Sequence, residues 1–158
     1  MKALLLLVLS LSHGAVLADA FRGQRNAPVY SADKTVKVVA ASSGGSRAIK
    51  RGKVLWSIKE QVRYGYVSDD GHYFAALYDG ANLIPQNPPN DLVLARFFRD
   101  GRQIKAVQLP EVIQSKSQLE LTASHAYWGD ALGFTAPATF TLRRVDRKLF
   151  HFDLRRYE

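Results

Sequence analysis

Two Asp-Gly pairs, each set between runs of β-prone residues, constrain this chain more than anything else in it. Between positions 62 and 112 it reads VRYGYVSDDGHYFAALYDG, then ANLIPQNPPN, then DLVLARFFRDGRQIKAVQLPEV. A tight turn that matches the twist of two antiparallel strands needs positive φ, which glycine adopts at little steric cost. Asp70-Gly71 and Asp100-Gly101 therefore each mark a β-hairpin. The first joins residues 62–67 to 72–78, and the second joins 92–98 to 103–109. In the arm HYFAALY, Tyr73, Ala75 and Leu77 alternate with Phe74, Ala76 and Tyr78. Successive side chains of a strand point to opposite faces, so a strand apolar on both is expected to be covered on both. The loop 80–90 carries Pro85, Pro88 and Pro89. It cannot be a central strand, because proline supplies no ladder donor.

The remaining segments extend the same pattern. Residues 35–41 (TVKVVAA) read as a first strand, 42–46 as a flexible turn, and 54–58 as a second strand with Trp56 as a core anchor. Pro110 pre-sets φ for a helical turn, so one short helix is expected near 110–115. Residues 118–122 alternate as a half-exposed strand, and 124–133 (SHAYWGDALG) read as an aromatic turn region. A last hairpin joins 139–145 to 149–154 around Asp146-Arg147-Lys148. No segment sustains a 3.6-residue period, so the expected fold class is all-β.

The first twenty residues stand apart. Met1-Lys2 supplies a positive start, residues 3–11 are almost wholly apolar, and Ala18-Asp19-Ala20 has the small-x-small form of a cleavage site. Residues 1–20 are expected to be a cleaved signal peptide, leaving Phe21 as the first residue of an exported, periplasmic or extracellular protein. Their apolar run falls short of the ~20 residues that span a bilayer, and no transmembrane segment is expected in the mature chain. Residues 21–34, with Gly23, Asn26 and Pro28, read as a flexible lead-in, and 35–158 as a single β domain. About 138 residues after the leader suffice for one core. There is no cysteine. Disulfides, thiolate metal sites, a cysteine nucleophile and a lipidated cysteine are thereby excluded. The net charge of +8 survives loss of the leader, whose Lys2 and Asp19 cancel, and it favours an anionic glycan or lipid surface as partner.

Candidate chemistry is sparse. Asp69 and Asp70 are adjacent at a turn tip, where backbone geometry already accounts for them. His72, His125 and His151 lack metal-ligand spacing. Ser124, His125 and Asp130 contain the residue types of a triad, but no G-x-S-x-G elbow accompanies them, and sequence neighbours rarely reach triad geometry. With no phosphate-binding Gly-rich loop, neither a metal nor a cofactor is called for, and no enzyme is expected. Binding has more to offer. His125, Tyr127 and Trp128 place aromatic faces beside polar groups, as sugar and peptide sites do. Trp128 reads rather as a structural plug capping the sheet edge. Arg143, Arg147 and Lys148 lie near the last hairpin, while Arg144 must face the other side of its strand. A nucleic-acid partner is not expected, since such a reader interleaves aromatics with base-reaching side chains on one sheet face.

The Asp-Gly and last-hairpin turns recur at intervals of about 30 and about 46 residues, between Asp70, Asp100 and Asp146. VSDDGHYFAALYDG followed by DLVLARFFRDGRQIKAVQL resembles a blade of the bacterial β-propeller repeats. The chain is also similar to small exported bacterial proteins of uncharacterised function. In those, a Trp ending an early strand, an SDDG turn and a Ser-x-x-x-Trp turn recur, matched here by Trp56, Ser68-Asp69-Asp70-Gly71, and Ser124 with Trp128. The resemblance implies antiparallel hairpins in about three propeller-blade-like units. A closed propeller needs at least four blades of four strands, so an open or sandwich-like assembly is expected rather than a ring. The functional expectation is a non-catalytic recognition or structural module of the cell envelope or extracellular space. Its partner would be an envelope protein or an anionic glycan or lipid surface, met through Tyr127, Trp128, His125, Arg143, Arg147 and Lys148. The alternative is a hydrolase whose carboxylates meet only in the fold.

Overall fold

The computed structural model describes residues 27–158 apart from residue 43. The expected leader, the start at Phe21 and the first part of the lead-in lie outside the described residues. Strands β1 (Val29–Tyr30), β2 (Val36–Ala40), β3 (Ser46–Lys50) and β4 (Lys53–Ile58) form a first antiparallel sheet in that order. Next come β5 (Gly65–Val67) and β6 (Tyr73–Leu77). After β7 (Leu83–Pro85) has left for another sheet, β8 (Val93–Arg99) and β9 (Arg102–Gln108) complete a second, ordered β5-β6-β8-β9. A helix α1 (Leu109–Val112) follows, with Pro110 in its first turn and the Glu111 carboxylate accepting the Gln108 N–H at 2.8 Å. Strands β10 (Glu120–Leu121) and β11 (His125–Tyr127) join β7 in a third sheet. The fourth is β12 (Gly129–Ala136), β13 (Thr139–Arg144) and β14 (Leu149–Asp153). The fold is all-β, open and sandwich-like, and none of the four sheets closes into a barrel.

Both Asp-Gly pairs make the turns that their chemistry demands. Asp100 and Gly101 have φ of 48° and 81°, the doubly positive geometry of a two-residue hairpin turn. In the SDDG turn the Gly71 N–H donates to the Ser68 carbonyl at 2.9 Å. The Asp70 carboxylate accepts from the Ser68 hydroxyl at 2.6 Å and from the His72 N–H at 2.9 Å.

The second sheet is the middle layer. Strand β6 is buried along its whole length. Phe74 and Ala76 face the first sheet, with Val67 and Phe98, against Val36, Val38, Ala48, Trp56 and Ile58. Tyr73, Ala75 and Leu77 face the other way, into a larger core that includes Phe97 and Val107 and, from the third and fourth sheets, Ile84, Phe140 and Phe152. The double-faced pattern of HYFAALY thus becomes a strand shared by two cores. Phe140 is the ring at the centre of the larger one, 5.2 Å from Phe97, 5.2 Å from Phe134 and 5.6 Å from Tyr66 between centroids. Trp56 anchors the smaller core, 5.4 Å from Phe74, with its indole N–H donating to the Gly71 carbonyl at 2.7 Å. Burying one such side chain contributes roughly 1.5–3 kcal/mol.

Several strands differ from the sequence expectation. Strand β1 lies inside the segment read as lead-in and pairs with β2, Tyr30 opposite Lys37. In SRAIK, Ser46 and Ala48 turn inward while Arg47 and Ile49 do not, and that cationic exterior hides β3 from a composition-based reading. Strand β7 ends on Pro85 but occupies a sheet edge, where the missing donor is tolerated. Residues 124–133, read as a turn, belong largely to β11 and β12.

Candidate functional site

Strand alternation decides the fate of the aromatic candidates. Along residues 125–128, His125 and Tyr127 point one way and are half-buried, while Ala126 and Trp128 point inward. Trp128 is 1 % exposed. Its indole N–H donates to the Ala81 carbonyl at 2.9 Å, and its backbone N–H donates to the Asn82 carbonyl at 3.2 Å. The expectation that Trp128 contributes to a binding surface is therefore corrected: it is a core residue that plugs the loop after β6.

Tyr127, Asp130 and Arg143 do come together. The Arg143 guanidinium donates to the Asp130 carboxylate at 2.8 Å, and the Tyr127 side chain bonds both Asp130 and Asn82. Partial burial pushes the Tyr127 hydroxyl up, and the Asp130 charge adds to the effect. Burial also works to raise Asp130, but bonds from Arg143, Tyr127 and Asn82 outweigh it and hold that carboxyl below its ordinary value. Asp130 is thus engaged by Arg143 and Tyr127, and Ser124 bonds the His125 ring at Nδ1, 2.8 Å away. Arg147 and Lys148 occupy the tip of the last hairpin, where the Lys148 ammonium sits 5.3 Å from the Phe150 ring centre. The six candidates accordingly divide into a Tyr127–Arg143 cluster centred on Asp130, His125 beside it on β11, two cations at a hairpin tip, and one buried indole.

A different feature is better formed. Strands β1, β5 and β12 are each outermost in their own sheet, and all three border one groove of about 730 Å³. Its walls are residues 66–70 and 132–137, with Tyr30 and Ala32 from the first sheet. The groove is mainly apolar, and two of its large side chains reach solvent, Tyr30 at 53 % and Leu132 at 41 % exposure. The Tyr66 hydroxyl donates to the Ala131 carbonyl at 2.9 Å and so bridges β5 to β12. Gly133 makes that approach possible: a Cβ there would stand 2.8 Å from the Tyr66 ring. Asp69 and Asp70 also line the groove. The Asp69 carboxylate accepts the Asp33 N–H at 3.0 Å, and its carbonyl accepts from the Lys50 ammonium at 2.9 Å. Asp33 itself is held at about 2, chiefly by the Ser31 hydroxyl and then by the Thr35 N–H.

The groove was not foreseen from the sequence. It depends on β1 and β12, the segments read as lead-in and turn, and on sheet edges that no local pattern reveals. Gly133 within an apolar run was the available signal, since such a glycine marks a bulge or a close backbone approach.

Chemically, the carboxyls with displaced values among the described residues are Asp33, Asp130, Asp146 and Asp153, and all are lowered. Hydrogen-bond donors hold them as anions, whereas a general acid requires a raised carboxyl. Among the described residues no cluster of three or more His, Cys, Asp or Glu is placed to hold a metal ion. No helix among them is long and apolar enough to cross a membrane. No protein-family model matches the sequence, and comparison with curated proteins finds no significant match.

Proposed function

We propose that this chain is an exported, non-catalytic recognition or structural module of the cell envelope or extracellular space, and that it meets an envelope protein at the groove between β1, β5 and β12. The observation that carries the reading is the convergence of three outermost strands on one apolar cleft. Unpaired sheet edges invite pairing with another chain. Exposed Tyr30 and Leu132 give this groove apolar surface beside Asp69, Asp70 and Pro137. The leader pattern of residues 1–20 supplies the expected address. The competing reading, a hydrolase, would draw on Asp69 and Asp70 in the same groove. Both are exposed turn residues, and Asp70 already accepts from Ser68 and His72.

A photocrosslinking residue placed at position 132 in exporting cells tests the proposal. A discrete crosslinked envelope protein is expected, absent when the same residue replaces exposed Arg102 on the far edge of the second sheet. Loss of the discrete product, together with hydrolytic turnover abolished by Asp69→Asn, would replace the module with the enzyme.

A further inference from the structure

We infer that the groove takes an extended peptide segment of its partner, added as a strand along β12, with Lys or Arg side chains directed toward Asp69 and Asp70. This rests on the recognition reading and specifies what is recognised.

The first support is geometric. The groove is lined by residues 132–137 and 66–70. It borders β12 and β5, each the outermost strand of its own sheet, and bulges between Ala131 and Gly133 and between Phe134 and Ala136 break the alternation of β12 along it. No strand among the described residues pairs with those outer sides. Six residues of β12 and its turn extend about 20 Å at ~3.3 Å per residue, room for a strand of about six residues. Such an addition draws affinity from main-chain bonds and specificity from pockets for alternate side chains.

The second support is charge. The chain has 22 Lys and Arg against 14 Asp and Glu, yet the groove lining holds two Asp and no Lys, Arg or His. The side chains of Tyr30, Leu132 and Phe134 would receive apolar side chains, and the two Asp of the lining complement a cation. An acidic strand would meet the same carboxylates as like charges, which is how an interface rejects the wrong partner.

Three fluorescein-labelled hexapeptides, titrated by polarisation into the full-length protein, decide the matter. One alternates Val with Lys, one alternates Val with Glu, and one is the Lys peptide N-methylated at alternate backbone nitrogens. The Lys peptide is expected to bind about tenfold more tightly than the Glu peptide, with an advantage that shrinks as salt is raised. N-methylation should remove most of the binding, because it deletes the ladder donors. Leu132→Arg, an exposed position, should weaken the Lys peptide by about tenfold, and Asp69→Asn by a smaller factor. If Leu132→Arg fails to fold as judged by its melt, Thr135→Arg at the same wall takes its place. Equal binding of the Lys and Glu peptides, indifference to N-methylation, or no binding by any peptide overturns the inference. A crosslink at position 132 would still stand in those cases and keep the recognition reading. Conversely, Lys-peptide binding without an envelope crosslink would count against the reading alone.

Discussion

Trp128 shows how a single side chain changes meaning once its strand is known. Among turn residues it would be a candidate anchor. In phase with Ala126 on an inward face, with its N–H on the Ala81 carbonyl, it is a plug. Trp128→Ala is expected to lower folding stability by about 3–5 kcal/mol, as large core deletions do, measured by urea denaturation. Trp128→Phe keeps most of the volume and loses the hydrogen bond, so its loss should be smaller, about 1 kcal/mol for the bond. Arg144 gives a second residue-level case, because its strand neighbour Arg143 lies exposed while it is 6 % exposed. Its guanidinium grips both Asp146 oxygens, at 2.9 and 2.6 Å, and donates to the Val112 carbonyl at 3.0 Å. That grip, followed by the Lys148 N–H, lowers the Asp146 carboxyl from 3.8 to about 2. A carboxyl lowered by folding stabilises the native state above its unfolded value and loses that contribution as pH falls through the folded one. Melting temperature should therefore drop between about pH 4 and pH 2, and less steeply in Asp146→Asn. Equal slopes for the two proteins in a pH-dependent calorimetric series would show that Asp146 contributes nothing to the acid transition.

Among elements, the joint between β5 and β12 is the most exacting. Gly133 has φ of 87°, a conformation that penalises any side chain, and the Tyr66 ring lies where its Cβ would be. Gly133→Ala should cost about 1–3 kcal/mol from strain alone, while Tyr66→Phe should cost about 1 kcal/mol for the bond to Ala131. Denaturant midpoints of the two variants check the order, and a Gly133→Ala midpoint equal to that of the parent protein would mean that the joint can open. What the sequence discloses about elements follows from locality. Asp-Gly between apolar runs encodes its own turn, and HYFAALY encodes burial on both faces, so both hairpins and the middle layer were legible. Strands β1, β3 and β7 are two, five and three residues long, and each is fixed by a partner: Val38 for Val29, Trp56 for Ala48, Ala126 for Ile84. Nothing within them specifies those pairings. The groove is bounded by one of these, β1, and by β12, which is why the Tyr127–Arg143 cluster could be approached from the sequence and the groove could not.

For the molecule as a whole, the question is whether two cores make one cooperative unit. Strand β6 feeds both, with Phe74 and Ala76 on one side and Tyr73, Ala75 and Leu77 on the other. Detaching the first sheet would expose Phe74, Phe98 and Val67, each worth roughly 1.5–3 kcal/mol in burial. That is a large share of the 5–15 kcal/mol that separates folded from unfolded states in ordinary domains, so a state with the first sheet released and the second intact should be scarcely populated. The chain provides its own reporters, since Trp56 lies in the smaller core and Trp128 in the larger. Trp128→Phe leaves fluorescence to Trp56, and Trp56→Phe leaves it to Trp128. In each variant the fluorescence and far-ultraviolet circular dichroism transitions in urea are expected to coincide, as a two-state unit requires. If the Trp56 signal is lost at lower urea than the circular dichroism of the same variant, the first sheet unfolds alone. The β1 wall of the groove would then be an independently opening element.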